Sequence, residues 1–239
     1  MKKIVVCFLT VALMSGFGAA QAFAFDGKSD IYVTPKIIYG ATFMKDAKYV
    51  ETSGGKDDLG NNRSSAFGGS LAVGYDLSEK VKAPVRAELE YSYSEAKAEA
   101  SYKVEAVIPY FNDYKWSKRI QTLFLNAYYD INTGTKVTPY AGAGLGAGFI
   151  KTEAEALWDG GAVGNEKIDL VTVTDFAWNI GLGLGYRINN NIILDIGYRF
   201  VDLGKADTDW GYSSTTYDWR IVADRLYQHQ FSIGARISF

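Results

Sequence analysis

The sequence predicts an all-β chain whose eight strands close into an antiparallel up-and-down transmembrane β-barrel with a polar, filled interior and four long extracellular loops. Three observations carry that reading. The final stretch sets Tyr227, His229, Phe231, Ile233, Ala235, Ile237 and Phe239 against Gln228, Gln230, Ser232, Gly234, Arg236 and Ser238. Such period-two alternation marks a strand with one apolar and one polar face. Seven earlier stretches repeat it, and aromatic residues gather at both ends of the apolar rows.

A leader precedes the first strand. Lys2 and Lys3 open an apolar run from Ile4 to about Met14, and Ala22-Phe23-Ala24 follows before Phe25 and Asp26. A positive start, a short apolar stretch and a small-x-small site read as a secretory signal cut after Ala24. The run falls short of the ~18–20 apolar residues that a helical membrane anchor needs. The expected division is therefore a signal peptide over 1–24 and one barrel domain over 25–239. Cys7 is the sole cysteine and leaves with the leader, so neither disulfides nor a zinc–cysteine cluster is expected. The mature chain keeps 23 of its 25 basic residues against 27 acidic ones. That balance offers no electrostatic footprint for nucleic acid.

The strands follow in order. The first apolar row is Ile31, Val33, Pro35, Ile37, Tyr39, Ala41 and Phe43; the second is Phe67, Gly69, Leu71, Val73, Tyr75 and Leu77. Third come Val85, Ala87, Leu89, Tyr91 and Tyr93, and fourth Gln121, Leu123, Leu125, Ala127, Tyr129 and Ile131. The fifth row runs from Val137 to Phe149 on odd positions. Parity then changes, giving Phe176 to Ile188 and Ile192 to Phe200 on even ones, before the closing strand. Of the fifty positions on these eight rows none is Asp, Glu, Lys or Arg, although 22% of the chain is charged.

The opposite faces carry Lys36, Asp76, Arg86, Glu88, Glu90, Asp130, Asp175, Arg187, Asp195, Arg199 and Arg236. A soluble sandwich or lipocalin-like barrel would put that polar face in water. A membrane barrel inverts the arrangement, with apolar residues against lipid and polar ones in the lumen. Period alone does not distinguish the two, but three further features favour the inversion. Tyr75, Tyr129, Tyr186 and Phe239 fall at one set of strand ends, while Phe43, Phe67, Tyr93, Phe149, Phe176, Phe200 and Tyr227 fall at the other, as two interfacial girdles would. Connections alternate between short (78–84, 132–136, 189–191) and long (45–64, 95–116, 151–174, 202–224), the short-inside, long-outside pattern of outer-membrane barrels. The third feature is the secretory leader combined with a terminal Phe239.

Eight strands enclose a space just wide enough for side chains to fill. Gly142, Gly144, Gly146 and Gly148 line the inward face of the fifth strand, with Gly181, Gly183 and Gly185 on the sixth. Arg86, Arg199, Arg236 and Tyr128 then have room to cross the lumen. Buried ions must be paired, so the eleven inward charges are expected to form an ion network that plugs the barrel.

Chemistry-bearing motifs are weak by comparison. Gly142-Ala-Gly144-Leu-Gly146-Ala-Gly148 superficially matches a dinucleotide loop, but that motif needs a helix after it, and here the glycines keep strict period two. His229, Ser232 and Asp224 suggest a hydrolase triad, yet His229 and Ser232 fall on opposite parities and diverge. Glu88 and Glu90 share a face with Arg86, which favours ion pairing over acid–base work. No catalytic residue, metal ligand or cofactor is assigned. The long connections hold Tyr110, Phe111, Trp116, Trp158, Trp210 and Trp219, aromatics of the kind found on protein-recognition surfaces. An equal expectation is that these stretches only cap the barrel and extend its strands above the membrane.

Leu125-Asn126-Ala127-Tyr128-Tyr129-Asp130, the run from Thr138 to Gly146, Gly183-Leu184-Gly185-Tyr186-Arg187 and the closing run from Phe231 to Phe239 resemble the eight-stranded outer-membrane barrel family. That family includes opacity-type adhesins, the OmpA-like transmembrane domain and alphaproteobacterial surface antigens. The resemblance implies that Phe239, with Phe231, Ile233 and Ile237, forms the signal read by the barrel-assembly machinery. It also implies a structural or antigenic surface protein, with host adhesion or immune-evasion binding of host proteins through its loops. The partners it implies are outer-membrane lipid, the assembly machinery and host proteins; no binding residue transfers with it. A narrow pore and a lipid-modifying barrel enzyme are the alternatives.

Overall fold

The computed structural model describes residues 30–51, 56–104, 110–158, 164–205 and 219–239, with side chains placed for 30–46, 48, 63–96, 117–151, 172–205 and 225–239. Eight strands run in chain order: β1 (Ile31–Glu51), β2 (Lys56–Asp76), β3 (Val85–Val104), β4 (Tyr110–Asp130), β5 (Val137–Trp158), β6 (Gly164–Arg187), β7 (Ile192–Asp202) and β8 (Trp219–Ser238). Each pairs antiparallel with the next, and β8 returns to β1 to close the barrel. The closing seam runs from Tyr32↔Ser238 to Glu51↔Trp219. Closure removes the unpaired edges that an open sheet would expose.

Alternation decides which way each residue faces. In β4, Leu123, Leu125 and Ala127 point outward while Thr122, Phe124 and Asn126 are buried. Leu125, Leu145 and Leu182 are 64%, 62% and 62% exposed, whereas Glu88 and Glu90 are buried. A chain folded in water would reverse that assignment; one surrounded by acyl tails produces it.

At one end the turns are tight. Between β2 and β3 a single helical turn, α1 (Ser78–Val81), ends on Lys82 in the left-handed region (φ 53°). Between β4 and β5, Gly134 takes φ 69° and its amide donates to Asn132 Oδ1 at 2.9 Å.

At the other end the strands outrun the lipid-facing rows. The stretches 45–64, 95–116 and 151–174, expected as long loops, are mostly strand, with β3 and β4 paired from Val85↔Tyr129 to Val104↔Tyr110. The reason is physical. Past the aromatic belt the outer face meets water, so apolar alternation disappears from the sequence while backbone pairing continues.

β7 is the exception and stops at Asp202. There the chain turns inward: Leu203 N donates to Leu226 O and Leu226 N to Gly204 O, both at 2.9 Å. Gly204 adopts φ 76°, and a Cβ on it would run into the Asp175 carboxylate.

Candidate functional site

The lumen is filled in layers. At the end with tight turns, Arg236 Nη2 lies 3.2 Å from Asp195 Oδ2 and Arg236 Nη1 lies 3.7 Å from Asp130 Oδ2. Tyr140 Oη donates to Asp195 Oδ1 at 2.8 Å. Arg86 Nε reaches Asp130 at 3.1 Å and its Nη1 pairs with Glu88, which also accepts from Tyr32 Oη at 3.0 Å.

One layer higher, Lys36 Nζ bridges Glu88 at 3.2 Å and Glu90 at 2.8 Å. Arg199 Nη2 stands 2.8 Å from Glu90 Oε1, close enough to pair as ions though off the hydrogen-bonding line. Arg199 Nε donates to Gln230 Oε1 at 2.6 Å, Gln230 donates on to Gln228, and Gln228 Nε2 to Thr42 Oγ1 at 2.8 Å.

The network therefore joins Lys36, Arg86, Arg199 and Arg236 to Glu88, Glu90, Asp130 and Asp195, four cations to four anions. Equal numbers are what a low-dielectric interior tolerates.

Aromatic rings hold the guanidinium groups in place. Arg86 Cζ lies 4.0 Å from the Tyr128 ring centroid and 4.7 Å from that of Tyr140. Tyr128, Asn126 and Tyr140 in turn occupy the space over Gly142, Gly144 and Gly183, where a Cβ would overlap them.

Three of the eleven inward charges stand outside this network. Asp76 is exposed and accepts from Ser78 N at 2.9 Å, and Arg187 is exposed at the end of β6. Both sit where the strand ends open to water, so parity no longer implies burial. Asp175, at the far end, accepts from the backbone amides of Phe176 at 2.7 Å and Lys205 at 2.8 Å, bracing the turn after β7.

Above the ions lies a layer that the charge pattern did not reveal. Ile120, Phe124, Ile150, Ala177, Val201, Leu203 and Leu226 form a buried apolar cluster across the lumen, with Met44 packed against it. Its signal was present, since Ile120 and Phe124 interrupt the otherwise polar face of β4. Beside the ions a cavity of about 30 Å³, bordered by Glu90, Tyr140, Arg199 and Ser232, has room for a water molecule rather than a passage.

On the outer wall His229 belongs to the aromatic belt. Its Nδ1 lies 2.7 Å from Tyr198 Oη, and its ring lies 5.5 Å from Phe43 and 5.4 Å from Phe200. Ser232 faces the lumen near Gly197. No triad forms from these two, and the Asp224 side chain lies outside the described residues. Among the described residues no group of three or more His, Cys, Asp or Glu could hold a metal.

Of the exposed aromatics named from the sequence, Trp210 lies outside the described residues. Tyr110, Phe111, Trp116, Trp158 and Trp219 have described backbone in β4, β5 and β8, with side chains outside the described set. In the closing strand Phe231 and Ile233 face outward, 57% and 49% exposed, while Ile237 and Phe239 are half-buried.

A closed barrel with a greasy outer wall between two aromatic belts and a neutralised, packed lumen defines an integral membrane barrel. The sequence profile of the outer membrane protein beta-barrel domain matches residues 9–239. The chain belongs to that family and is a protein of the bacterial outer membrane. Outer membrane protein PagN of Salmonella typhimurium is 31% identical over 226 residues, covering 89% of this chain and 91% of that one. A candidate adhesin of Rickettsia bellii is 23% identical over 86% of each chain. The major outer membrane protein of Thermus thermophilus shares the fold, with a TM-score of 0.53 at 12% identity over 87% of this chain and 99% of that one.

Proposed function

We propose that this is a non-enzymatic surface protein that binds host proteins, as an adhesin, at the barrel end bearing the long strand extensions, which faces the cell exterior. The mature form runs from residue 25 to 239, after loss of the leader. The filled lumen is the observation that carries this reading. Four balanced ion pairs below an apolar layer oppose passage of solutes, which leaves the wall beyond the outer aromatic belt as the surface for function.

The 23% likeness to a candidate adhesin of Rickettsia bellii points the same way. A lipid-modifying enzyme would need a nucleophile beside a free histidine nitrogen on the outer wall. Here His229 Nδ1 engages Tyr198 and Ser232 turns inward.

The test uses the longest paired extension. Ala98 and Trp116 are partners across β3 and β4, so replacing residues 99–115 by a two-residue Asn-Gly turn keeps the hairpin in register. Intact cells treated with protease are expected to be cut within 95–116. The shortened variant is expected to reach the outer membrane folded and to lose most attachment to immobilised host matrix proteins. Undiminished attachment overturns adhesion through this hairpin; protection of 95–116 on intact cells overturns the orientation.

A further inference from the structure

Just above the outer aromatic belt, three adjacent strands each place a cation on the outer side of the wall. Lys45 of β1 stands directly across from Arg225 of β8. Arg63 of β2 stands across from Phe43, one outward position below Lys45. With strands ~4.8 Å apart and ~6.7 Å between same-face neighbours, the three Cα atoms fall within about 12 Å.

All three side chains are exposed, Arg225 to 62% even with its Nε 3.0 Å from Asp202. The belt seats the other two. Arg63 Cζ lies 5.3 Å from the Phe43 ring centroid and Lys45 Nζ lies 6.0 Å from that of Tyr227, while Phe43 and Tyr227 stack at 5.2 Å. The cation stems thus lie over rings that mark the edge of the hydrocarbon, and their heads sit at headgroup height. Asp46, next along β1, takes a left-handed turn (φ 51°) where the register with β2 shifts.

The direction in which these charges point decides what they meet. They project sideways, in the plane of the membrane, so their neighbour is lipid rather than a molecule arriving from above. Directly beneath, Tyr39, Phe67 and Phe231 continue the same wall as exposed apolar surface. Cations over an apolar wall complement an anionic headgroup over acyl chains. Two guanidinium forks favour phosphate, which accepts paired N–H bonds, over a diffuse charge. The wall across β4 and β5 differs, because Arg119 faces Lys151 on one side and Glu95 on the other.

We propose that Lys45, Arg63 and Arg225 form a docking site for the phosphorylated headgroup of an outer-leaflet glycolipid, with its acyl chains along the wall below. The site rests on the orientation proposed above, since only the outward end meets the outer leaflet.

The experiment titrates the full mature protein, in neutral detergent, with diphosphorylated lipid A, with dephosphorylated lipid A and with inorganic pyrophosphate, read by native mass spectrometry. The wild type is expected to retain the diphosphorylated lipid selectively, less so at high salt. K45Q/R63Q is expected to weaken that binding by about tenfold or more while remaining folded by its heat-modifiable gel mobility. K80Q/K82Q, at the opposite rim, is expected to bind as the wild type does.

Equal retention of both lipids, or full retention by K45Q/R63Q, overturns the site. Pyrophosphate binding as tightly as the lipid overturns the commitment to a lipid. If the orientation were reversed, protease shaving of cells would report it while the detergent titration stayed unchanged, so the two failures separate.

Discussion

Glu90 shows what one residue must satisfy inside this barrel. It is fully buried and lies 2.8 Å from both Lys36 Nζ and Arg199 Nη2. Removing it leaves two buried cations facing each other. Glu90→Ala is therefore expected to cost about 3–5 kcal/mol, the usual penalty for orphaning a buried charge, measured by equilibrium urea unfolding in lipid vesicles. Arg187→Ala, at an exposed strand end, is expected to stay within about 0.5 kcal/mol. An unshifted midpoint for Glu90→Ala would mean that water reaches the pair. The parity of Glu90 was legible in the sequence, because Glu88 and Glu90 share the face opposite Leu89 and Tyr91. Its partners were not. Lys36 lies 54 residues away, and which anion it meets depends on the register of three strands and the tilt of the barrel.

A strand as a unit carries the inversion. Along β4 the outward residues Leu123, Leu125 and Tyr129 are exposed and the inward residues Thr122, Phe124 and Asn126 are buried. Leu125 pairs with Leu89 and Leu145, so three leucines meet at mid-wall. Leu125→Arg is expected to lose about 2–4 kcal/mol in vesicles, the cost of a cation at the bilayer midplane. Ser65→Arg, beside the outer belt, is expected to lose at most about 1 kcal/mol, since the depth penalty falls toward the interface. Equal losses at the two positions would remove lipid as the medium around the wall. This part of the fold was readable because lipid imposes a strict apolar row. The extensions of β1 to β6 past the belt were not, since water on that face sets no such rule. Nor was the early end of β7, which depends on Gly204 turning beside Asp175.

The whole molecule is closed twice, by different chemistry. The lower closure is the ion network centred on Lys36, Glu90 and Arg199; the upper is the apolar cluster of Ile120, Phe124, Ile150, Val201, Leu203 and Leu226. Charge on inward parity made the lower closure readable from the sequence, whereas the upper one uses the same parity with apolar residues and so escaped a search for ions. Each closure opposes permeation independently, one by locking charges together and the other by excluding water. The wild type is expected to carry no steady current in planar bilayers. Phe124→Ala with Leu203→Ala thins the apolar layer but leaves the ions locked, and is also expected to stay silent. Adding Lys36→Ala and Glu90→Ala removes one charge of each sign from the layer below, and stepwise currents are then expected. Currents from the Phe124/Leu203 variant alone would make the apolar layer the sole seal. Steady current through the wild type would overturn the plugged lumen, and with it the argument that function lies on the outer wall.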